Sequence, residues 1–403
     1  MSKLTLSSDA GVPSPLVRKS RRAIRSLLDT GVATRIAAKR ASVSGRKSRR
    51  VLLLSDGMKG TSEQQFAPLR RFRQTIAAEL GLIFEFGSTD RIASISKEQL
   101  SGYAAVGLKL AFDTPADKAA ALAQTLFDAA RAAGAKCLVF DGDDDQCVIW
   151  PQVIDACDTY IKKHQFADLK AYKRSYHGKT NLTDYAHQTF GVDFSANIIS
   201  ETAPLNDDQI AKIELGWNIG LDDKIYDLSR DISAKSLSKP KTIDISCRAS
   251  VTPDNWIYGM RNGAVEAMRA LEGKMRVHAP NNRVPQQEYY NEMLSSWLTL
   301  SPFGYGELCW RDFEAILCGS ILVKPDMSHV VTYPDIFIPG ETYLPVAWDY
   351  SNLEEVCTGV LQNTEQRDQI RRTARETLLK GLTAQSFIAR LEITMKAAAV
   401  LDA

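Results

Sequence analysis

Short all-apolar runs alternate along this chain with longer stretches whose apolar residues recur three and four apart. Runs of the first kind read as strands buried on both faces, and the intervening stretches as helices laid over them. Val51–Ser55 (VLLLS), Leu82–Phe86 (LIFEF), Ala104–Leu110 (AAVGLKL), Cys137–Phe140 and Thr159–Lys162 are predicted strands, with helices over Phe66–Leu80 and Pro115–Ala133. Residues 168–235 are more polar and irregular, with helical patches such as Asp207–Leu215. Asp231–Lys241 (DISAKSLSKPK) reads as a linker and sets a boundary near 236. Alternation then restarts. Thr242–Ser246, Met275–His278, Trp297–Leu300, Ile321–Val323 and Tyr343–Val346 are predicted strands. Helices are predicted over Ile257–Leu271, Pro285–Ser296, Phe313–Leu317, Ser351–Leu361, Glu365–Lys380 and Ala384–Ala399. The fold class is α/β: two doubly wound, Rossmann-like domains, 51–235 and 236–403, facing each other across a cleft behind an N-terminal arm, 1–50.

Charge distinguishes that arm from the rest. The 403 residues carry a net charge of only +2, but residues 1–50 hold thirteen Lys and Arg against Asp9 and Asp29, leaving the remainder about −9. Arg18, Lys19, Arg21, Arg22 and Arg25 interleave with Val17, Ile24, Leu27 and Leu28, and Arg46, Lys47, Arg49 and Arg50 follow. The arm reads either as a soluble tail or as a basic amphipathic segment resting on anionic lipid. Nucleic acid ranks behind both, because no aromatic residue interrupts the basic arm to stack on bases. No apolar run approaches the ~20 residues a spanning helix needs, and the N-terminus lacks a secretory apolar core. Seven scattered cysteines form no CxxC pair and the five histidines show no ligand spacing, which fits free thiols in a cytoplasmic protein, without structural zinc.

Chemistry concentrates at strand ends. In SPFGYGELCWRDFEAILCGSILVKPDMS, residues 301–328, a strand end runs into a glycine turn, a helix and a second strand. Ligands of open α/β sheets lie beyond the carboxyl ends of strands, where a following helix offers its free N–H groups. Gly304 and Gly306 let backbone approach a diphosphate; Phe313, Ile316 and Leu317 form the buried stripe of the helix. Arg311 and Glu314 share another face, either as a solvated ion pair or as ligand contacts. Arg248 ends the strand Thr242–Cys247 and Arg261 lies on the next helix, each a candidate clamp for a leaving diphosphate; Lys324 is a further strand-end cation.

The run from Tyr289 to Pro325 resembles the nucleotide-binding half of exostosin-like and related family 1-like GT-B glycosyltransferases. Tyr289, Pro302, Gly304, Gly306, Arg311, Glu314, Ala315, Gly319 and Leu322–Val323 carry the likeness. The resemblance implies that Glu314 holds the ribose of a nucleotide-diphosphate sugar and that Gly304, Gly306 and Arg311 lie near its diphosphate. In retaining relatives the first of two glutamates stands where Gly306 stands here; Glu307 lies one position later. That departure leaves the stereochemical outcome open, with inversion favoured.

Other strand ends supply carboxylates. Asp141–Asp145 (DGDDD) follows a buried strand, and its Asp141 and Asp143 are candidate general bases for an acceptor hydroxyl; Asp56, after the first strand, is another. The same run could ligate a divalent cation, the signature of a metal-dependent GT-A-like transferase. Lys162, Lys163 and His164 follow the next strand and read as a solvated segment or as a contact for an anionic acceptor. Asp326 and His329 start a loop, 326–339, expected to close over the donor. Ser55–Thr61 (SDGMKGT) lacks the Gly–Lys–Ser/Thr ending of a phosphate loop, and no serine nucleophile elbow is present. The expectation is a cytoplasmic, peripheral transferase that needs no metal cofactor. It would move sugar from a nucleotide sugar to a glycan or lipid-linked glycan of cell-surface polysaccharide or lipopolysaccharide assembly. The alternatives are the metal-dependent enzyme and a non-catalytic glycan- or nucleotide-binding protein on the same fold.

Overall fold

The computed structural model describes residues 20, 31–57, 64–194, 203–253 and 255–402. Of the basic positions singled out above, Arg18, Lys19, Arg21, Arg22 and Arg25 lie outside the described residues, as do Met58–Thr61. The chain divides into two compact units.

The first unit opens with a helix, α1 (Gly31–Val43), and a six-stranded parallel sheet of β1 (Arg49–Ser55), β2 (Leu82–Ser88), β3 (Tyr103–Lys109), β4 (Lys136–Asp141), β5 (Thr159–Lys162) and, after the short β6 (His164–Phe166), β7 (Ile213–Leu215). Their order is β2-β1-β3-β4-β5-β7. The strands form where apolar residues run together because both faces are covered: Leu52, Leu54, Val106, Leu108 and Val139 join one core with Ala119, Ala123, Leu126, Phe127 and Ala130 of α2 (Ala116–Ala132). Those helix positions recur three and four apart, the spacing of one helical face. Gly107 marks the closest approach, since a Cβ there would lie 2.5 Å from Leu53 Cδ2.

Two expectations change in this unit. The helix predicted over Phe66–Leu80 is broken into Ala67–Arg71 and Arg73–Leu80 at Phe72, where ψ is 11° and the N–H donates to Pro68 O; Pro68 fits only a first turn, so a separate short helix starts there. Asp207–Leu215 is helical only to Ile210; its last three residues are β7, the sheet's final strand.

The second unit starts at Lys224, inside α3 (Asp223–Asp231), and runs to Ser328, resuming over Asp335–Lys380. The stretch read as a linker holds the end of α3 and a capped turn of helix, Ala234–Leu237, whose Ser233 accepts from Ser236 N. Here β8 (Ile243–Ser246), β9 (Val277–His278), β10 (Ser296–Leu300), β11 (Ile321–Pro325) and, beyond β12 (Val330–Thr332), β13 (Tyr343–Val346) form a parallel sheet ordered β13-β11-β10-β8-β9. Helices Tyr258–Ala270 and Leu353–Gln362 cover its core through Ala264, Met268, Leu353, Cys357 and Val360. Two further helices carry the site: α4 (Gln286–Leu294) precedes β10, and α5 (Trp310–Leu317) links β10 to β11. The expected loop 326–339 contains β12, which leaves this sheet and pairs antiparallel with β6 of the first unit's own chain segment. The C-terminal helix α6 (Ala384–Ala397) likewise belongs to the first unit. Among the described residues, no helix is long and apolar enough to cross a membrane.

Candidate functional site

The turn after β10 is built from the inside. Asp312, in the first turn of α5, accepts from the Cys309 N–H (2.9 Å) and from the Ser301 hydroxyl (2.6 Å). Lys324 Nζ lies 3.1 Å from the same carboxylate and 3.4 Å from Ser301 O, and both ionic groups are fully buried. The sequence offered Lys324 as a diphosphate contact; the structure spends its charge beneath the turn, on Asp312. Glu307 is fully buried too. Above them the Gly304 N–H donates to Gly306 O at 3.1 Å, and a Cβ on Gly304 would lie 3.1 Å from Arg261 Nη2.

Two guanidiniums meet at this turn. Arg261 donates to Ser250 O (2.9 Å) and more weakly to Phe303 O; Arg311 donates to Arg248 O (2.5 Å). Among the described residues neither forms an ion pair with a carboxylate. Burial first, and the Arg311 charge second, hold the pKa of Arg261 below its ordinary value. Two like charges held by backbone carbonyls leave an unmet demand for an anion. Arg248 differs: it pairs bidentately with Glu292 at 2.5 Å, and this partner, with His278, keeps the Glu292 carboxyl low despite burial. The Arg311–Glu314 ion pair, one of the two readings of their spacing, does not form, because each side chain has other partners.

Glu314 is the centre of the site. Only 2 % exposed, its carboxylate accepts from Tyr289 OH (3.1 Å, Oε2), Tyr290 OH (3.0 Å, Oε1) and Lys224 Nζ (2.7 Å, Oε1). Burial and then the Glu314 charge push the Tyr289 phenol well above its ordinary pKa, so it stays a donor. Glu314 lines a cavity of about 390 Å³ together with Lys224, Arg248, Asn281, Arg283 and Tyr289. A buried carboxylate in a cavity rimmed by cations and amides is suited to a polyhydroxyl ligand that carries negative charge.

In the first unit the DGDDD run is neutralised residue by residue. Lys162 Nζ lies 2.7 Å from Asp141 and also donates to the carbonyls of Asp145 and Cys147; Tyr160 OH donates to Asp141 at 3.0 Å. Lys109 meets Asp143 at 3.1 Å, Lys163 meets Asp144 at 2.7 Å, and Lys179 meets Asp145 at 3.0 Å. Burial works against ionised Asp141, but Lys162 and Lys109 hold its pKa low. Asp143 is raised by burial and by neighbouring Asp141, and burial pushes Asp145 up to about 6. An ammonium against each carboxylate does not fit a divalent cation, which the GT-A-like alternative requires. Lys162, Lys163 and His164, read as a solvated charged segment, are buried. Asp56 stands apart: its Oδ2 accepts from Ala111 N at 2.6 Å, while Oδ1 has no hydrogen-bond partner among the described residues.

The structure thus gathers Arg261, Gly304, Gly306 and Arg311 at one turn and Arg248 and Glu314 at the adjoining cavity. Sequence reasoning missed Lys224, Tyr290 and Asp312. Lys224 is 90 positions from Glu314 and carries no local signal, whereas the Asp312–Cys309 pairing follows the spacing of a capping box and was legible.

Residues 261–392 match a family described as glycosyl transferase-like. No curated protein matches the chain. Among solved structures, a glycosyltransferase from Rickettsia africae ESF-5 is similar at 12 % identity and a TM-score of 0.50, over 87 % of this chain and 99 % of its own. Anabaena Alr3699/HepE in complex with UDP is similar at 11 % identity and a TM-score of 0.46, over 86 % of this chain and 100 % of its own. Residues 261–392 thus form a glycosyl transferase-like domain within a fold of two parallel-sheet units like that of the Rickettsia africae structure.

Proposed function

We propose that the protein transfers a sugar from a nucleotide-diphosphate sugar, held at α5, to a glycan or lipid-linked glycan in cell-surface polysaccharide or lipopolysaccharide assembly. The observation that carries this reading is Glu314, buried yet lining a cavity of about 390 Å³. In this reading Glu314 accepts from the ribose hydroxyls, while Arg261, Arg311 and the N–H groups at the start of α5 face the diphosphate. The acceptor oxygen attacks the anomeric carbon as the bond to the diphosphate breaks; the electron pair leaves on the diphosphate, and its charge falls to the two guanidiniums. The acceptor proton passes to a carboxylate. Asp56 suits that role better than Asp141 or Asp143, which are held by Lys162 and Lys109. With guanidiniums on the leaving group, the reading calls for no metal.

A peripheral site of action is supported by α1. Ala37 and Ala41 pack with Ala77 and Ile83, and Ala33 is buried too, while Val32, Ile36 and Val43 stay exposed on another face. Residues 31–50 add seven Lys and Arg and no acidic residue, a composition that suits an anionic lipid surface.

The test is thermal stabilisation by a panel of nucleoside diphosphates and their sugars, with and without chelator, since a ligand of the folded state raises its stability. A chelator-resistant rise with one nucleotide, lost in Glu314→Ala, is expected. Binding without turnover on any acceptor would turn the reading to a non-catalytic nucleotide-binding protein; no binding at all would sink it.

A further inference from the structure

Glu314 is almost fully engaged before any ligand arrives. A carboxylate offers about four acceptor positions, and three are taken by Tyr289, Tyr290 and Lys224. A vicinal diol, the recognition feature of a ribose, needs two. Tyr290 is the contact held most firmly. Tyr290 is fully buried and its hydroxyl also receives a hydrogen bond from Gln286 at 2.6 Å; Tyr289 comes from the same helix turn. Lys224 is different in kind. Its side chain is 25 % exposed, it borders the cavity, and its ammonium sits 4.5 Å from the ring centroid of Trp310 at the start of α5.

We infer that Lys224 is a placeholder on Glu314, expelled when a ribose diol takes its position. This rests on the donor-site reading above and deepens it by naming the residue that sets how strongly the site distinguishes a ribose from a 2′-deoxyribose. One hydroxyl fills the acceptor position left open on Oε2. The second must replace the ammonium on Oε1, so a ribonucleotide exchanges one charged contact for another, while a deoxynucleotide leaves the ion pair in place. The two classes of nucleotide then bind with similar strength in the native protein. The exchange takes the ammonium off the Trp310 face, and a ligand carrying a diphosphate offers it a new counter-charge in the same cavity.

The experiment is calorimetric titration of the full chain with UDP, ADP and GDP and their 2′-deoxy counterparts, in the native protein and in Lys224→Met. Any contact between Lys224 and the diphosphate affects both members of a pair equally and cancels in their ratio. Native affinities for the members of the bound pair are expected within about threefold. In Lys224→Met the ribonucleotide should be preferred by roughly tenfold, the worth of one uncontested hydrogen bond to a charged acceptor. Trp310 emission gives an independent readout: it should shift when ribonucleotide binds the native protein, not when deoxynucleotide binds. A ratio that is the same in native protein and variant, with no ribose-specific emission change, would show that Lys224 stays on Glu314 and overturn the inference. Failure of the site itself has another signature: no member of the panel binds, or Glu314→Gln changes neither affinity.

Discussion

Asp56 follows β1 and Asp141 ends β4 of the same sheet, yet only Asp56 keeps a carboxylate oxygen without a hydrogen-bond partner among the described residues. Asp141 is fully buried and receives Lys162, Tyr160 and a backbone N–H, whereas Asp56 spends one oxygen on Ala111 N. Asp56→Asn is therefore expected to lower kcat by about 10²-fold or more, the usual contribution of a general base, with KM for the donor and nucleotide binding unchanged; unaltered kcat would move the base elsewhere. Lys162→Met breaks a buried ion pair and should cost stability of about 3–5 kcal/mol, read by urea unfolding. Asp145 adds a pH dependence with a definite sign. Its folded pKa, about 6, lies above its unfolded value near 3.8, so it binds protons more tightly in the folded chain. Its contribution is present below about pH 4 and is lost as pH rises through about 6. Asp143 is shifted the same way, so the comparison must isolate one group. Between about pH 4 and 6, the stability of the native protein to unfolding should fall with rising pH relative to that of Asp145→Asn.

Elements explain why some of this was legible and some was not. Val51–Ser55 is identifiable from its composition alone, because a strand with helices on both faces must be apolar at every position. The helix stripe Phe313, Ile316 and Leu317 is equally local, and all three residues are buried. β12 and β7 carry no such mark. Three residues make no periodicity, and β12 exists because Val330–Thr332 meets His164–Phe166, more than 160 positions upstream. Arg311 and Glu314 were correctly placed on one face of a helix, but what each touches depends on long-range neighbours. Charged residues misled most: Lys162, Lys163 and Lys324 look like surface or ligand groups, and each is buried against an aspartate. At the scale of the turn, Gly304→Ala would push a methyl to 3.1 Å from Arg261 Nη2. Displacing that guanidinium should weaken binding of nucleoside diphosphates more than of nucleosides, while thermal stability without ligand changes little; equal loss for both would separate Arg261 from the diphosphate.

For the whole molecule, α1 and the charge imbalance carry the expectation of surface binding. The full chain should co-sediment with vesicles containing anionic phosphatidylglycerol and not with purely zwitterionic ones, and Ile36→Asp should reduce that binding several-fold, as expected for loss of an inserted apolar side chain. Binding insensitive to vesicle charge would count against the basic face. A different consequence follows from the way the chain is apportioned. Among the described residues it passes from one unit to the other after 223, 328, 334 and 380, so β12 and α6 are encoded beyond most of the second unit. No contiguous fragment of the gene can then specify the first unit without also encoding the second. A ribosome that has released residues up to 223 has made a sheet still lacking α6, and that unit can reach its final form only once Ala384–Ala397 has emerged.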